Sequence, residues 1–431
     1  MHRPAYTKTL EPVRLTLPAE ADAASAPTCR LCGAALRHTF VDLGMSPLCE
    51  SFLAADELDG MEPFYPLHVL VCGECLLVQL QAYVDASEIF REYAYFSSYS
   101  TSWVDHARTY AEQMTDRLGL DGESLVVELA SNDGYLLQHF VAHGIPSLGI
   151  DPAANVAEAA RARGVETLVE FFDTRLASEL ADGGRRADLI VANNVLAQVP
   201  SLNDFVEGMR ILLAPSGTAT IEVPHLVRLV EGLQFDTIYH EHYSYFSFHT
   251  LVELFGRHEL EVFDVEELPS HGGSLRVFVR HPQGAPEPAV ETLLAAERDA
   301  GYAELAGYAG FGARVAETKW RLLELLIGLR RDGARIAGYG APGKGNTLLN
   351  YCGIRTDLLD YTVDRNPLKH GRFLPGTHVP IHPPERIAET RPDYVLILPW
   401  NLKREIAAQL EYVRDWGGRL VVPIPEPEVL P

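Results

Sequence analysis

Two C-x-x-C pairs, Cys29-Arg-Leu-Cys32 and Cys72-Gly-Glu-Cys75, constrain this chain more tightly than any other feature of its sequence. They bracket short strand-like runs, "HTFVDLG" and "YPLHVLVC", with "LLVQLQAYV" following, in a unit without a large apolar core of its own. Each pair sits on a tight turn, with Gly33 and Gly73 placed to relax it. In a reducing compartment such thiols read as metal ligands rather than disulfides. Four thiolates close a tetrahedral shell, so the expected ion is zinc and its role structural. The competing reading is a redox pair beside a coincidental one, which leaves the small unit without a source of stability. Cys49 and Cys352 have no close partner and read as small core residues.

A chain of 431 residues is too long for one ordinary core, so two or three domains are expected. Residues 1 to about 26 are rich in Ala, Pro and Glu and read as a loosely ordered arm. From Ser124 the apolar runs "SLVVELA", "PSLGID", "ADLIVANNVL" and "GTATIEVP" are spaced by helix-length segments, the alternation of a doubly wound α/β sheet. "SLRVFVRH" reads as a late strand of the same sheet, and 289–331 as a long helix or helix pair. A second α/β texture follows in "ARIAGYGAPGKGNTLLNYC", "LLDYTVDRNP", "DYVLILPW" and "GGRLVVPIP". The resulting division is a zinc-binding β domain over 1–84, an α/β domain over 85–288 and a second over 289–431.

Charge narrows the partners. The net charge of −23, with no Lys/Arg run, excludes nucleic acid as an expected partner. No apolar stretch reaches the roughly 20 residues of a membrane span, and the N-terminus has no apolar signal core. No membrane partner is expected, and a cytoplasmic location and a monomer are.

The segment "LVVELASNDGYLLQHF" reads as strand, tight loop and helix start. Ala130, Ser131 and Gly134 are small enough for a ligand to approach the backbone at a helix N-terminus. The pattern Glu128-x-Ala130-x-Asn132-x-Gly134 departs from the dinucleotide fingerprint G-x-G-x-x-G. It resembles the first motif of class I S-adenosylmethionine methyltransferases. Asp151 matches the acid that ends the second strand in that family and would accept the ribose hydroxyls. Phe172 in "FFD" resembles the adenine-side motif, and Asn193 and Asn194 the fourth-strand motif. A generic nucleotide fold, NAD(P) included, is the alternative.

"FDTIYHEHYSYF" gathers Tyr239, His240, Glu241 and His242 after a strand ending at Pro224. Two imidazoles around a carboxylate supply bases near neutral pH, and the phenols can hydrogen-bond an oxyanion. A second metal site and plain packing are the competing readings.

Together with "REYAYFSSYS", "NNVLAQVPSLNDF", "HGGSLRV" and "GYGAPGKGNTLLNY", these strings resemble the sugar C-methyltransferases that act on TDP-4-keto-deoxyhexoses. The resemblance runs from about Cys29 to the C-terminus. It implies an α/β protein with a class I methyltransferase Rossmann-like centre, an N-terminal zinc domain and a C-terminal Rossmann-like domain that clamps the nucleotide-sugar. It implies S-adenosylmethionine as methyl donor, a TDP-linked keto-deoxyhexose as partner, and methylation at C3 through an enolate. His242 would be the base, with Tyr239, Glu241 and His240 beside it. Tyr93 and Gln198 would line the sugar pocket, while Lys344 and Asn346 would anchor the diphosphate. Some members carry His where this chain has Gln198, which cannot act as a base. The "GAPGKGNTLLN" loop could instead hold NAD or a bare phosphate. Methylation at C5, an O- or N-methyltransferase on another metabolite, and a zinc-dependent nucleotide-binding scaffold are the other readings.

Overall fold

The computed structural model describes residues 27–90, 96–99 and 101–430. The expected N-terminal arm and Tyr93 lie outside the described residues. The described residues form three sheets. The first is antiparallel, with β1 (His38–Ser46), β2 (Tyr65–Val71), β3 (Val78–Leu80) and a late strand, β9 (Ser244–Tyr245), in that order. Strand β9 comes from the histidine-rich segment: Val78 pairs with Tyr245 and Gln79 with Ser244. The zinc unit therefore completes its sheet only with residues some 165 positions further on.

The second sheet has seven strands in the order β10-β11-β8-β7-β4-β5-β6. They are β4 (Val126–Leu129), β5 (Ser147–Ile150), β6 (Glu166–Leu168), β7 (Ala187–Asn193), β8 (Leu213–Pro224), β10 (Glu261–Leu268) and β11 (Ser274–Arg280). All run parallel except β11, which is antiparallel to both β8 and β10. Buried on both faces, β4 and β7 are mostly apolar rather than alternating, with Glu128 in β4 and Asp188 and Asn193 in β7 the exceptions.

The third sheet has the order β14-β13-β12-β15-β16-β17. Its strands are β12 (Ile336–Tyr339), β13 (Thr362–Val363), β14 (Ile381–His382), β15 (Tyr394–Ile397), β16 (Arg419–Val422) and β17 (Glu428–Val429), the last antiparallel. Its core is continuous with the first sheet: Phe40 of β1 stacks on Phe311 of the helix Phe311–Arg331 at 4.6 Å.

The segment expected as a long helix or helix pair is a pair. Its first member, Pro288–Asp299, packs Val290, Leu293 and Leu294 on the central core rather than on the third sheet. Glu297 fixes it there, accepting the amides of Phe248 and His249 and pairing with His225 at 2.7 Å. These three partners satisfy a carboxylate that is almost wholly buried. No helix among the described residues is long and apolar enough to cross a membrane.

Strand order reverses between β4 and β7 in the central sheet and between β12 and β15 in the third. Crevices at such switch points, beyond the carboxyl ends of the strands, are where doubly wound sheets bind ligands. Here both open into one space.

Candidate active site

A cleft of about 1450 Å³ lies between the three sheets. Ordinary ligand pockets measure about 300–1,000 Å³, so this one has room for two ligands side by side. One wall comes from the central switch point: Asn132 after β4, Asp151 after β5, and Asn193 and Asn194 at the end of β7. The opposite wall comes from the third sheet: Gly340, Lys344 and Asp364, with Pro399 after β15. Tyr239, Glu241, His242 and Gln198 lie between them.

On the methyl-donor side, Asp151 accepts the Asn132 amide at 2.9 Å on one oxygen and the Ala153 amide at 2.9 Å on the other. Each oxygen keeps a lone pair for a hydroxyl donor. The Asn194 backbone is left-handed, and its amide group, like the Asn193 Oδ1, is buried without a partner among the described residues. Buried polar atoms of this kind are costly unless a ligand completes them. Phe172 adds an apolar wall. These features fit the ribose, polar and adenine parts of S-adenosylmethionine.

Among the chemical side chains, His242 is the most sharply defined. Its Nδ1 lies 3.0 Å from the Thr237 carbonyl, which can only accept, so the proton sits on Nδ1. Nε2 is then a free lone pair. Burial, opposed by the Thr237 carbonyl and aided by the Lys344 charge, lowers the imidazole to about 4, so it is neutral at physiological pH. The Tyr239 ring covers it at 4.1 Å. Glu241 is almost inaccessible and takes a contact from the Cys49 thiol at 3.5 Å. Burial and the neighbouring Glu50 carboxylate push Glu241 up to about 8, making it a neutral acid at pH 7.

Lys344 opens the helix Gly343–Cys352 and bonds the Asn401 side chain at 3.1 Å. Burial lowers its ammonium, and the Asp236 carboxylate opposes that shift. Asp236 is itself fixed by the Trp400 indole N–H at 2.7 Å.

The cysteine sulfurs of 29, 32, 72 and 75 all lie within 4.8 Å of one another. Two of the separations are 3.5 Å, close to the roughly 3.8 Å edge of a tetrahedron built on 2.3 Å zinc–sulfur bonds. The Gln79 side-chain amide donates to the Cys29 sulfur at 3.1 Å, and the Glu74 amide to Cys72 at 3.4 Å. Donors aimed at sulfur suit thiolates.

Comparison with known proteins identifies the family. Family models match in three blocks: a zinc binding domain over residues 29–90, a methyltransferase domain over 103–265 and a C-methyltransferase C-terminal domain over 269–425. The chain is 39% identical to the C-methyltransferase NovU of Streptomyces niveus over 404 residues, 93% of this chain and 96% of that one. The chain belongs to this C-methyltransferase family. A solved methyltransferase from Anabaena variabilis is 14% identical, covering 41% of this chain and 84% of its own, with a TM-score of 0.34. The Burkholderia thailandensis 1,6-didemethyltoxoflavin-N1-methyltransferase, bound to S-adenosylhomocysteine, is 19% identical over 48% and 95% of the two chains, with a TM-score of 0.35.

The chain is an S-adenosylmethionine-dependent C-methyltransferase acting on a small-molecule substrate, with a zinc-binding domain whose clustered Cys29, Cys32, Cys72 and Cys75 are fit to hold the ion. Several residues expected at the site stand behind it. The His240 ring packs on Tyr65 and bonds the Pro66 carbonyl at 3.2 Å, away from the cleft. It and His242 point to opposite sides of one turn. Asn346 is buried, donating to the Cys49 carbonyl at 2.5 Å, so it ties the third sheet to the N-terminal segment and does not line the cleft. Glu128 is wholly interior. Ser131 and Gly134 shape the loop from behind, Gly134 packing on Ala160 and Val165 with φ +75°. Cys49, expected as simple core, is buried but touches Glu241. Sequence reasoning missed Asp236, although it stands in the same string as His242, and His271, in the "HGGSLRV" string.

Proposed function

We propose that this C-methyltransferase methylates C3 of a TDP-4-keto-6-deoxyhexose through an enolate, as a step of deoxysugar and antibiotic biosynthesis. The observation that carries the reading is His242: a neutral imidazole, its Nδ1–H held by a carbonyl, its Nε2 free in a cleft shared by two nucleotide-type switch points. S-adenosylmethionine supplies an electrophilic methyl group on a sulfonium. His242 takes the proton from the carbon next to the ketone, and Tyr239 and neutral Glu241 are donors for the oxygen where charge gathers. Asp151, Asn193 and Asn194 orient the methyl donor from the central sheet. Lys344 and the N-terminus of the Gly343–Cys352 helix meet the diphosphate from the third. Gln198 fills a sugar-facing position where it can donate or accept but cannot remove a proton.

Binding tests the two halves separately. Calorimetric titration with S-adenosylhomocysteine and then TDP should show both binding to one chain. Lys344→Ala should weaken TDP by about 10- to 100-fold, the range of a lost hydrogen bond to a charged group. S-adenosylhomocysteine affinity should not change. A wild-type protein that ignores TDP would remove the sugar from this reading.

The pH profile follows from two shifted groups. The base form of His242 is present above about pH 4 and lost below it. The acid form of Glu241 is present below about pH 8 and lost above it. Turnover should therefore fall on both sides of a plateau between these values. In Glu241→Gln, which stays neutral, the alkaline limb near 8 should disappear. Its persistence would assign that limb to another group.

A further inference from the structure

We propose that His271 is a second catalytic imidazole, one that donates its N–H to the ketone oxygen of the substrate as His242 removes the neighbouring proton. The inference rests on the enolate reading above. His271 lines the same cleft as His242. No hydrogen bond engages the His271 ring among the described residues; its one ring contact is edge-to-face with Trp103 at 5.3 Å. The ring is solvent-exposed on the cleft wall, and the desolvation it does meet there, together with the Lys344 charge, holds it below the ordinary imidazole range. The neutral ring keeps one N–H to donate, so no proton need leave it during the step.

The backbone supports a use for this ring. His271 is held at φ 54°, ψ 17°, in the left-handed region, and is followed by Gly272 at φ 93° and Gly273 at φ 118°. Glycine would occupy such a position without strain. A side chain kept there against that preference is a pointer to function when the surroundings over-determine it. They do here. The Ser270 hydroxyl donates to Glu222 at 2.7 Å, and Glu222 is also held by His106 at 3.1 Å and Arg276 at 3.2 Å. The Gly272 carbonyl accepts the Gln234 side-chain amide at 2.8 Å, and the Gly273 carbonyl accepts the His225 amide at 3.0 Å. Gln234 begins the turn that leads to Thr237 and His242, so one side chain joins the two imidazole-bearing segments. This holds the His271 backbone in place and presents its exposed ring on the wall of the cleft, where an N–H donor would meet negative charge developing on a bound ketone.

The test uses the full-length protein with zinc, with TDP-4-keto-6-deoxyglucose deuterated at C3 as probe. Two rates are read: methyl transfer, and loss of deuterium to water with S-adenosylhomocysteine in place of the methyl donor. His271→Gly suits the backbone, so it should fold with an unchanged or higher Tm. Both rates should fall by about 10²- to 10³-fold, with KM and S-adenosylhomocysteine affinity within three-fold of wild type. Added imidazole should restore part of the rate in His271→Gly and none in wild type. Rates within three-fold of wild type, or a rise in KM with kcat intact, would overturn the role. Methylation by wild type without loss of deuterium would overturn the enolate reading itself, and this inference with it.

Discussion

Replacing His242 by Asn should lower turnover by about 10³-fold while S-adenosylhomocysteine binds as before. A positioned general base contributes about 10²- to 10⁴-fold, and of the two imidazoles lining the cleft His242 is the one whose Nδ1–H is held by a carbonyl, leaving Nε2 as the base. Glu241 is a neutral acid at pH 7, Tyr239 a phenol, and Gln198 an amide without a usable base. Asn is the informative choice because its amide can still donate to the Thr237 carbonyl and hold the turn. What it lacks is the lone pair corresponding to Nε2. The methyl-donor residues belong to loops after β4, β5 and β7 and share no hydrogen bond with His242. Initial rates with the TDP-sugar, alongside calorimetry with S-adenosylhomocysteine, read the two effects separately. Turnover within ten-fold of wild type would take the base role from His242. Loss of S-adenosylhomocysteine binding would show that the substitution had disturbed the fold.

Much of this architecture was legible in the chain. Strands β4, β5, β7 and β8 follow from short apolar runs spaced by helices, and the zinc ligands from two C-x-x-C pairs. The cleft itself was harder. Nothing in "YHEHYSYF" says that His240 and His242, two residues apart, face opposite ways; that depends on a turn closed by the His242 amide on the Tyr239 carbonyl. Nor could local sequence place Asn346, whose partner Cys49 is 297 positions away. Glu128 resembles a motif residue yet is buried within β4 and is not among the residues lining the cleft. His271 was overlooked because its string reads as a glycine turn before a strand. Its value appears only once β11 is inserted beside β8 and delivers that turn to the cleft.

The largest structural effect should come from the metal, though its ligands do not line the cleft. Zinc bound to small cysteine modules supplies about 10–16 kcal/mol at pH 7, as much as the whole stability of a typical domain. The first sheet is small, its strands β3 and β9 only three and two residues long, and it needs that contribution. Cys75→Ser, or chelation in mild denaturant, should therefore unfold it, with zinc lost from a starting value of about one ion per chain. The consequence for catalysis follows from β9. With β3 gone, Ser244 and Tyr245 lose their pairing, Tyr243 loses the Leu80 amide that its carbonyl accepts, and His240 loses Pro66. Each of those contacts lies within three residues of His242. Turnover should then fall at least as far as in His242→Asn, although no ligand to the metal touches substrate. S-adenosylhomocysteine binding should survive in part, because its loops are carried by the central sheet. Metal content, Tm and turnover measured on the same Cys75→Ser sample check the chain of cause. A variant that keeps wild-type Tm and turnover without zinc would break it at the first link.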